Sequence, residues 1–269
     1  VDKGRNKFIS SSLSAYITAN PAVKTAQIFV SVPSTSQPSI HADEYPQLLL
    51  LTAKLDLYVH SCYIAPLWSD KPDVRTKAAT IINRELATCA AIGAKGLIIH
   101  LRDLATIPDI ITQIGQLKIP SPSSVRLYLE NMHSTPFSKS YGNPELLTKL
   151  IAELTQHIPG SSLGICIDTS HLWACGAPVD DSGFVSSYLD LLHALHKHFG
   201  VEVLIHFNDN RYPRGGLKDE HDFIGDGLIW KNGRSDSWRI IAKSGFPLIF
   251  ERSKVTGHAL KDFQRMETI

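Results

Sequence analysis

An aspartate and a histidine stand three residues apart in the string Gly164-Ile165-Cys166-Ile167-Asp168-Thr169-Ser170-His171. The apolar run 163–167 reads as a buried parallel strand, so the acid falls at its end and the imidazole just beyond. A carboxylate and an imidazole in that position suit a divalent ion such as zinc. A plainer reading is open too: Asp168 caps the next helix, and His171 is a core histidine with its hydrogen bonds made. The pair alone does not choose between them. Other apolar runs, however, end in the same way. The third ends in His60, the fourth in His100, the fifth in Glu130 and the seventh at His206. The loop after the seventh carries Asp219-Glu220-His221, and the eighth run ends in Glu251. Six consecutive buried-to-polar switches toward His, Asp or Glu are hard to explain as separate accidents. Charged groups gathered at one place would repel and desolvate one another unless cations held them. Imidazoles mixed with carboxylates, without thiolates, suit zinc, manganese or iron better than magnesium or calcium. Nine such ligands exceed one tetrahedral ion and suffice for two or three.

The elements that must position these residues alternate. Strands are expected at 8–13 (weakly), 27–32, 57–60, 96–101, 125–130, 163–168, 201–207 and 247–250. Between them come helical patterns at 44–55, 73–92, 107–117, 146–157, 182–199 and 238–243, with a closing helix at 259–266. Asn143-Pro144-Glu145 reads as a cap, a first-turn proline and an acid opening a helix, and Gly200 as a helix-ending glycine. Eight strands separated by helices predict a (β/α)8 TIM barrel, an α/β fold whose site lies at the carboxyl ends of its strands. A single domain over 1–269 is expected. The alternative, an open doubly wound sheet, lacks a Gly-x-Gly-x-x-Gly after its first strand.

Composition narrows the partners. The chain of 269 residues is 43% hydrophobic and 20% charged, with a net charge of +1. No apolar run approaches the ~18–20 residues of a membrane span, so no membrane partner is expected. No global field favours nucleic acid, and DNA would need a local basic face. The four cysteines, Cys62, Cys89, Cys166 and Cys175, are scattered. They suggest no disulfide framework and predict an intracellular, reducing setting. No targeting signal opens the given chain.

Taken together, these residues resemble the endonuclease IV family of apurinic/apyrimidinic (AP) endonucleases, over about residues 25–255. The resemblance rests on His60-Ser61-Cys62-Tyr63-Ile64, Leu129-Glu130-Asn131, Gly164 to His171, His206-Phe207-Asn208-Asp209, Asp219-Glu220-His221 and Glu251. Trp173 and Ile229-Trp230-Lys231 look more like its viral branch, which would make a viral factory or virion a further location besides cytoplasm or nucleus. The resemblance implies three zinc ions, with manganese as a partial substitute. His60, His100 and Glu130 would hold one ion. Glu130 would bridge to a second, completed by Asp168, His206 and Glu251. The third would sit on His171, Asp219 and His221. A hydroxide between the first two ions would be the nucleophile, with Glu251 orienting it. The implied activity is DNA repair by cutting double-stranded DNA 5′ to an abasic site, leaving a 3′-hydroxyl, with the protein acting as a monomer.

Tyr63 and Ile64, directly after His60, would press into the DNA beside the lesion. Arg211, Arg214 and Lys218, and Arg252 and Lys254 after Glu251, are candidate phosphate contacts. The chain departs from the family pattern in three places. The loop 33–38 lacks the expected basic residue, Leu101-Arg102-Asp103 replaces a small glycine-containing turn, and the first strand lacks a histidine. A metal-dependent sugar isomerase or epimerase on the same barrel is the main alternative, and a DNA-binding protein with structural zinc is another.

Overall fold

The computed structural model describes residues 8–120, 125–231, 235–251 and 262. The expected helix 259–266, Arg252 and Lys254 therefore lie outside the described residues. Seven strands form one sheet: β1 (Thr25–Phe29), β2 (Asp56–His60), β3 (Gly96–His100), β4 (Arg126–Glu130), β5 (Leu163–Asp168), β6 (Glu202–His206) and β9 (Leu248–Ile249). A separate two-stranded hairpin is made of β7 (Asp209–Asn210) and β8 (His221–Asp222). In the large sheet the strand order β1-β2-β3-β4-β5-β6-β9 is the chain order. A doubly wound sheet would reverse at a switch point. None occurs among the described strands, which excludes that alternative.

The run 8–13 is not a strand. It opens helix α1 (Ile9–Ala19), and Ile9 and Leu13, four residues apart, are both buried. That spacing is a helical period, and Ser10 to Ser12 between them carry no alternating apolar face. The later helices are α2 (Tyr45–Thr52), α3 (Pro72–Ala91), α4 (Ile107–Ile114), α5 (Pro144–Leu154), α6 (Thr169–Cys175), α7 (Ser182–Phe199) and α8 (Ser237–Ala242). Each overlaps an expected helical pattern except α6, which begins where Asp168 was read as a possible cap. As expected, Asn143 caps α5 by accepting from Glu145 N, and Gly200 ends α7 with φ +72°. Among the described residues, no helix is long and apolar enough to cross a membrane.

The chain divides into two compact units. The first comprises the described residues up to Ile99, with Pro108–Tyr128 and Ser161–Leu163. Here β1 and β2 run parallel in the register Phe29↔His60, and β2 pairs β3 in the register His60↔Ile98. Two buried acids order this unit. Glu44 accepts Ser10 N and Oγ at 3.0 and 3.1 Å. Glu85, on α3, accepts Ser61 Oγ at 2.6 Å and Cys62 N at 3.4 Å, so the turn following His60 is held from below.

The second unit comprises His100–Ile107, Leu129–Gly160 and the described residues from Gly164. Strands β5 and β6 pair parallel with Asp168 opposite His206, and β9 continues the sheet with Ile249 also opposite His206. Equal strand ends bring the last residues of β5 and β6 level, and this alignment builds the site.

Candidate metal centre

In the second unit, Glu130 closes β4, Asp168 closes β5, His206 closes β6, and Glu251 follows β9 by two residues. The first three are fully buried and Glu251 is half-buried. A single ring nitrogen, Nδ1 of His206, lies 3.1 Å from Glu130 Oε1, 3.3 Å from Glu251 Oε2 and 3.9 Å from Asp168 Oδ2. One nitrogen carries at most one proton and cannot satisfy three carboxylates. Their burial is costly unless a larger positive charge sits among them. The spacing suits a metal ion, since bonds of ~2.05 Å at tetrahedral angles place ligand atoms about 3.3 Å apart.

The same spacing recurs nearby. His221 Nε2 lies 3.1 Å from Asp219 Oδ2 and 3.6 Å from Asp168 Oδ2, and His171 Nε2 lies 3.6 Å from Asp219 Oδ2. His221 Nε2 is buried and makes no hydrogen bond despite that closeness. Two ligands of one ion would stand in this relation. On the other side of Glu130, His100 Nε2 lies 3.4 Å from Oε2. His60 closes β2 in the first unit. It is buried, and its Nδ1 donates to the Ser61 carbonyl at 2.8 Å, which fixes the tautomer of a neutral ring.

Electrostatics point the same way. Burial by itself would lower the pKa values of His171, His206 and His221, but their neighbours raise all three. Asp168, Asp219 and Glu130 do so for His171; Cys166, Glu251 and Glu130 for His206; Asp168, Asp219 and Glu251 for His221. Burial would raise Asp219, yet the His171 and His221 imidazoles beside it hold it well below the usual carboxylate range. The pocket favours cations.

Asp168 caps the next helix, as the plainer reading expects, and leaves its other oxygen to the imidazoles. Oδ1 accepts His171 N at 2.9 Å and caps α6, while Oδ2 faces His221 and His206. The short helix α6 then turns His171 back to the strand ends, where its Nδ1 donates to the Asn131 carbonyl at 2.8 Å. Asp219 and His221 arrive through the β7–β8 hairpin, in which Asn210 pairs with His221.

The AP endonuclease 2 family model, described as a xylose isomerase-like TIM barrel, matches residues 29–254. The chain belongs to this family. A curated African swine fever virus relative, named "Probable AP endonuclease", is 28% identical over 231 residues, 83% of this chain and 76% of its own. The crystal structure of AsfvAP:AG superposes with a TM-score of 0.86 at 23% identity, covering 99% of this chain and 94% of that one. Endonuclease IV from Thermus thermophilus gives a TM-score of 0.74 at 19% identity, covering 97% and 94%. The fold is therefore the expected TIM barrel.

In this xylose isomerase-like barrel the remaining sequence candidates have varied settings. Tyr63 and Ile64 are exposed, at 60% and 45%, which suits an insertion loop. Tyr63 rests edge-on against His60 and Phe29. Arg211 spends its charge on Glu220 and, at 3.1 Å, on Asp222, which raises its pKa. Arg214 lies over the Trp173 ring, 3.5 Å from Asp180, and Lys218 lies over the Tyr212 ring. Their loop is strapped to α6, because Gly215 N donates to the Trp173 carbonyl and Leu217 N to that of Ala174.

Supporting residues passed unassigned in the sequence. Asn208 Nδ2 donates to Asp168 Oδ2 at 2.7 Å, and Asn208 Oδ1 accepts Glu251 N at 2.9 Å. Asn131 Oδ1 accepts Asp168 N, and Ser170 Oγ donates to Asp219 Oδ1. Asn131 and Asn208 follow within two residues of the strand-end candidates Glu130 and His206, and that adjacency is the signal that could have marked them.

Proposed function

We propose that this chain is a zinc-dependent DNA-repair endonuclease that hydrolyses the phosphodiester on the 5′ side of an abasic site in duplex DNA, leaving a 3′-hydroxyl. The observation that carries this is the convergence of Glu130, Asp168 and Glu251 on one nitrogen of His206. The name of the viral relative supports an abasic substrate. Zinc bound in such a site supplies Lewis acidity and activates water at neutral pH.

The chain's own residues prepare that chemistry. Glu130 turns Oε2 to His100 and Oε1 to His206, which suits a bridging ligand. Asn208 ties Asp168 to the backbone of Glu251 and so fixes two ligands together. Support of this kind orients ligands and tunes affinity. His171, Asp219 and His221 make a further cation position, and His60 is the ninth ligand on the sequence pattern. Exposed Tyr63 and Ile64 supply faces to stack where a base is missing, and an abasic nucleotide flips out cheaply because it has little stacking to lose.

The test is a labelled duplex carrying one tetrahydrofuran abasic analogue, incubated with protein before and after chelation. The expected result is metal-dependent cutting on the 5′ side, with a 3′ end that a polymerase extends. The analogue resists β-elimination, so a lyase cannot mimic it. Full activity in Glu251→Gln would overturn the role given to that carboxylate. An uncut duplex, with zinc loading verified and ketoses isomerised, would establish the sugar-isomerase alternative instead.

A further inference from the structure

His133 stands three residues beyond Glu130, outside every ligand set considered so far. Its ring packs against the His171 ring at a centroid distance of 4.9 Å and a tilt of 36°. One ligand atom from each of His133, His171 and Asp219 falls within 4.8 Å of the others. The Nδ1 of His133 is buried and makes no hydrogen bond. Leaving a buried polar atom without a partner costs on the order of 1–3 kcal/mol. A protein that holds such a ring beside an aspartate and a second imidazole gains most if an ion is the shared partner.

The segment carrying His133 is pinned on both sides. The Met132 carbonyl accepts Cys175 Sγ at 3.2 Å and Ser140 Oγ at 3.3 Å. Ser134 N and Oγ both donate to Asp103 Oδ2, at 3.1 and 3.0 Å, and Ser140 Oγ donates to Asp103 Oδ1. Asp103 belongs to the Leu101-Arg102-Asp103 turn that departs from the family pattern. That departure is thus hydrogen-bonded to the residue that follows the histidine. A loop anchored this firmly presents its side chain in one place, as a ligand must be presented.

We propose that His133 is an additional ligand of the cation held by His171 and Asp219, an inference that rests on the metal-centre reading above. The ion at this position would then be enclosed by more protein donors, and held more firmly, than one bound by His171, Asp219 and His221 alone.

The test reads metal rather than turnover. Wild-type protein, His133→Ala and His133→Gln are dialysed against a series of buffered free zinc concentrations, and zinc per chain is measured by mass spectrometry. Loss of the ligand should shift the retention of one ion by at least about tenfold to higher free zinc, with the others unmoved. The glutamine variant keeps a polar side chain, so it serves if the alanine variant does not fold. His133→Cys loaded with cobalt provides the decisive readout: a thiolate-to-cobalt absorption band absent from cobalt-loaded wild type. Only a side chain touching the ion produces that band. Zinc retention equal to wild type in His133→Gln, together with no new band in His133→Cys, overturns the proposal while leaving the metal centre standing. Wild-type protein that retains no zinc overturns both.

Discussion

Asp168 closes β5, and Asp209 opens β7 three residues past the end of β6. Both carboxylates are fully buried in the second unit. Around Asp168 stand His171, His206 and His221, with one hydrogen bond to each oxygen from Asn208 or the α6 backbone. Around Asp209 there are amides: Asn210 N and Ile229 N donate to Oδ1 at 2.8 and 2.9 Å, and Gly225 N donates to Oδ2 at 2.9 Å. Among the described residues, no imidazole joins it in a group that could hold a cation. Burial therefore dominates, and its pKa climbs to about 6, with the amides opposing the rise. A buried acid after a barrel strand is thus not in itself a ligand. Imidazole neighbours fit it to be a candidate ligand, and amide neighbours make it a loop anchor.

The strongest way to break this comparison is Asp168→Asn, for which incision is expected to fall to background and retained zinc to drop. Unchanged metal content by mass spectrometry would put Asp168 in the same class as Asp209. Next, Asp209→Asn should leave retained zinc unchanged but alter stability with a particular sign. The folded pKa of Asp209 lies above its ordinary 3.8, so the folded chain binds more protons between about pH 4 and 6. Its contribution to stability therefore declines as pH rises through that window. The cost of the substitution should accordingly be greatest near pH 4 and move by up to about 3 kcal/mol toward stabilisation by pH 7. Urea unfolding of both proteins at the two pH values measures the difference.

A smaller effect sharpens the contrast from the ligand side. Asn208→Ala removes the amide that links Asp168 to Glu251, and zinc affinity should fall about 10–100-fold. Chelator competition reads this, and an unaltered affinity would mean that Asp168 needs no such support. Smallest of all is Arg211→Ala. Its exposed guanidinium already serves Glu220 and Asp222, so a stability change under about 1 kcal/mol is expected. The salt dependence of DNA binding should not move, whereas Lys218→Ala should reduce its slope by about one.

Much of the site could be read without coordinates, because a barrel strand ends where its apolar run ends. The run 163–167 dictates where Asp168 falls, and the run before His206 does the same for the imidazole opposite it. The failure at 8–13 has the same origin in reverse, since three apolar residues, Phe8, Ile9 and Leu13, were too few to separate the two periods. Helix α6 was signalled only by its cap, Asp168, because its seven residues are all buried and leave no solvent-facing side to give a helical pattern.

The side chains that terminate strands, their chemical types, and hence the demand for cations were determined by the amino-acid sequence alone, because strand position and polarity are local properties. The tertiary structure decided which of those groups share an oxygen-to-nitrogen distance of about 3–4 Å. It also decided that Asp219 and His221 return through a hairpin, that asparagines rather than further acids support them, and that His133 lies against His171. These depend on how separate segments pack, and contacts between distant segments leave no period in the chain that carries them.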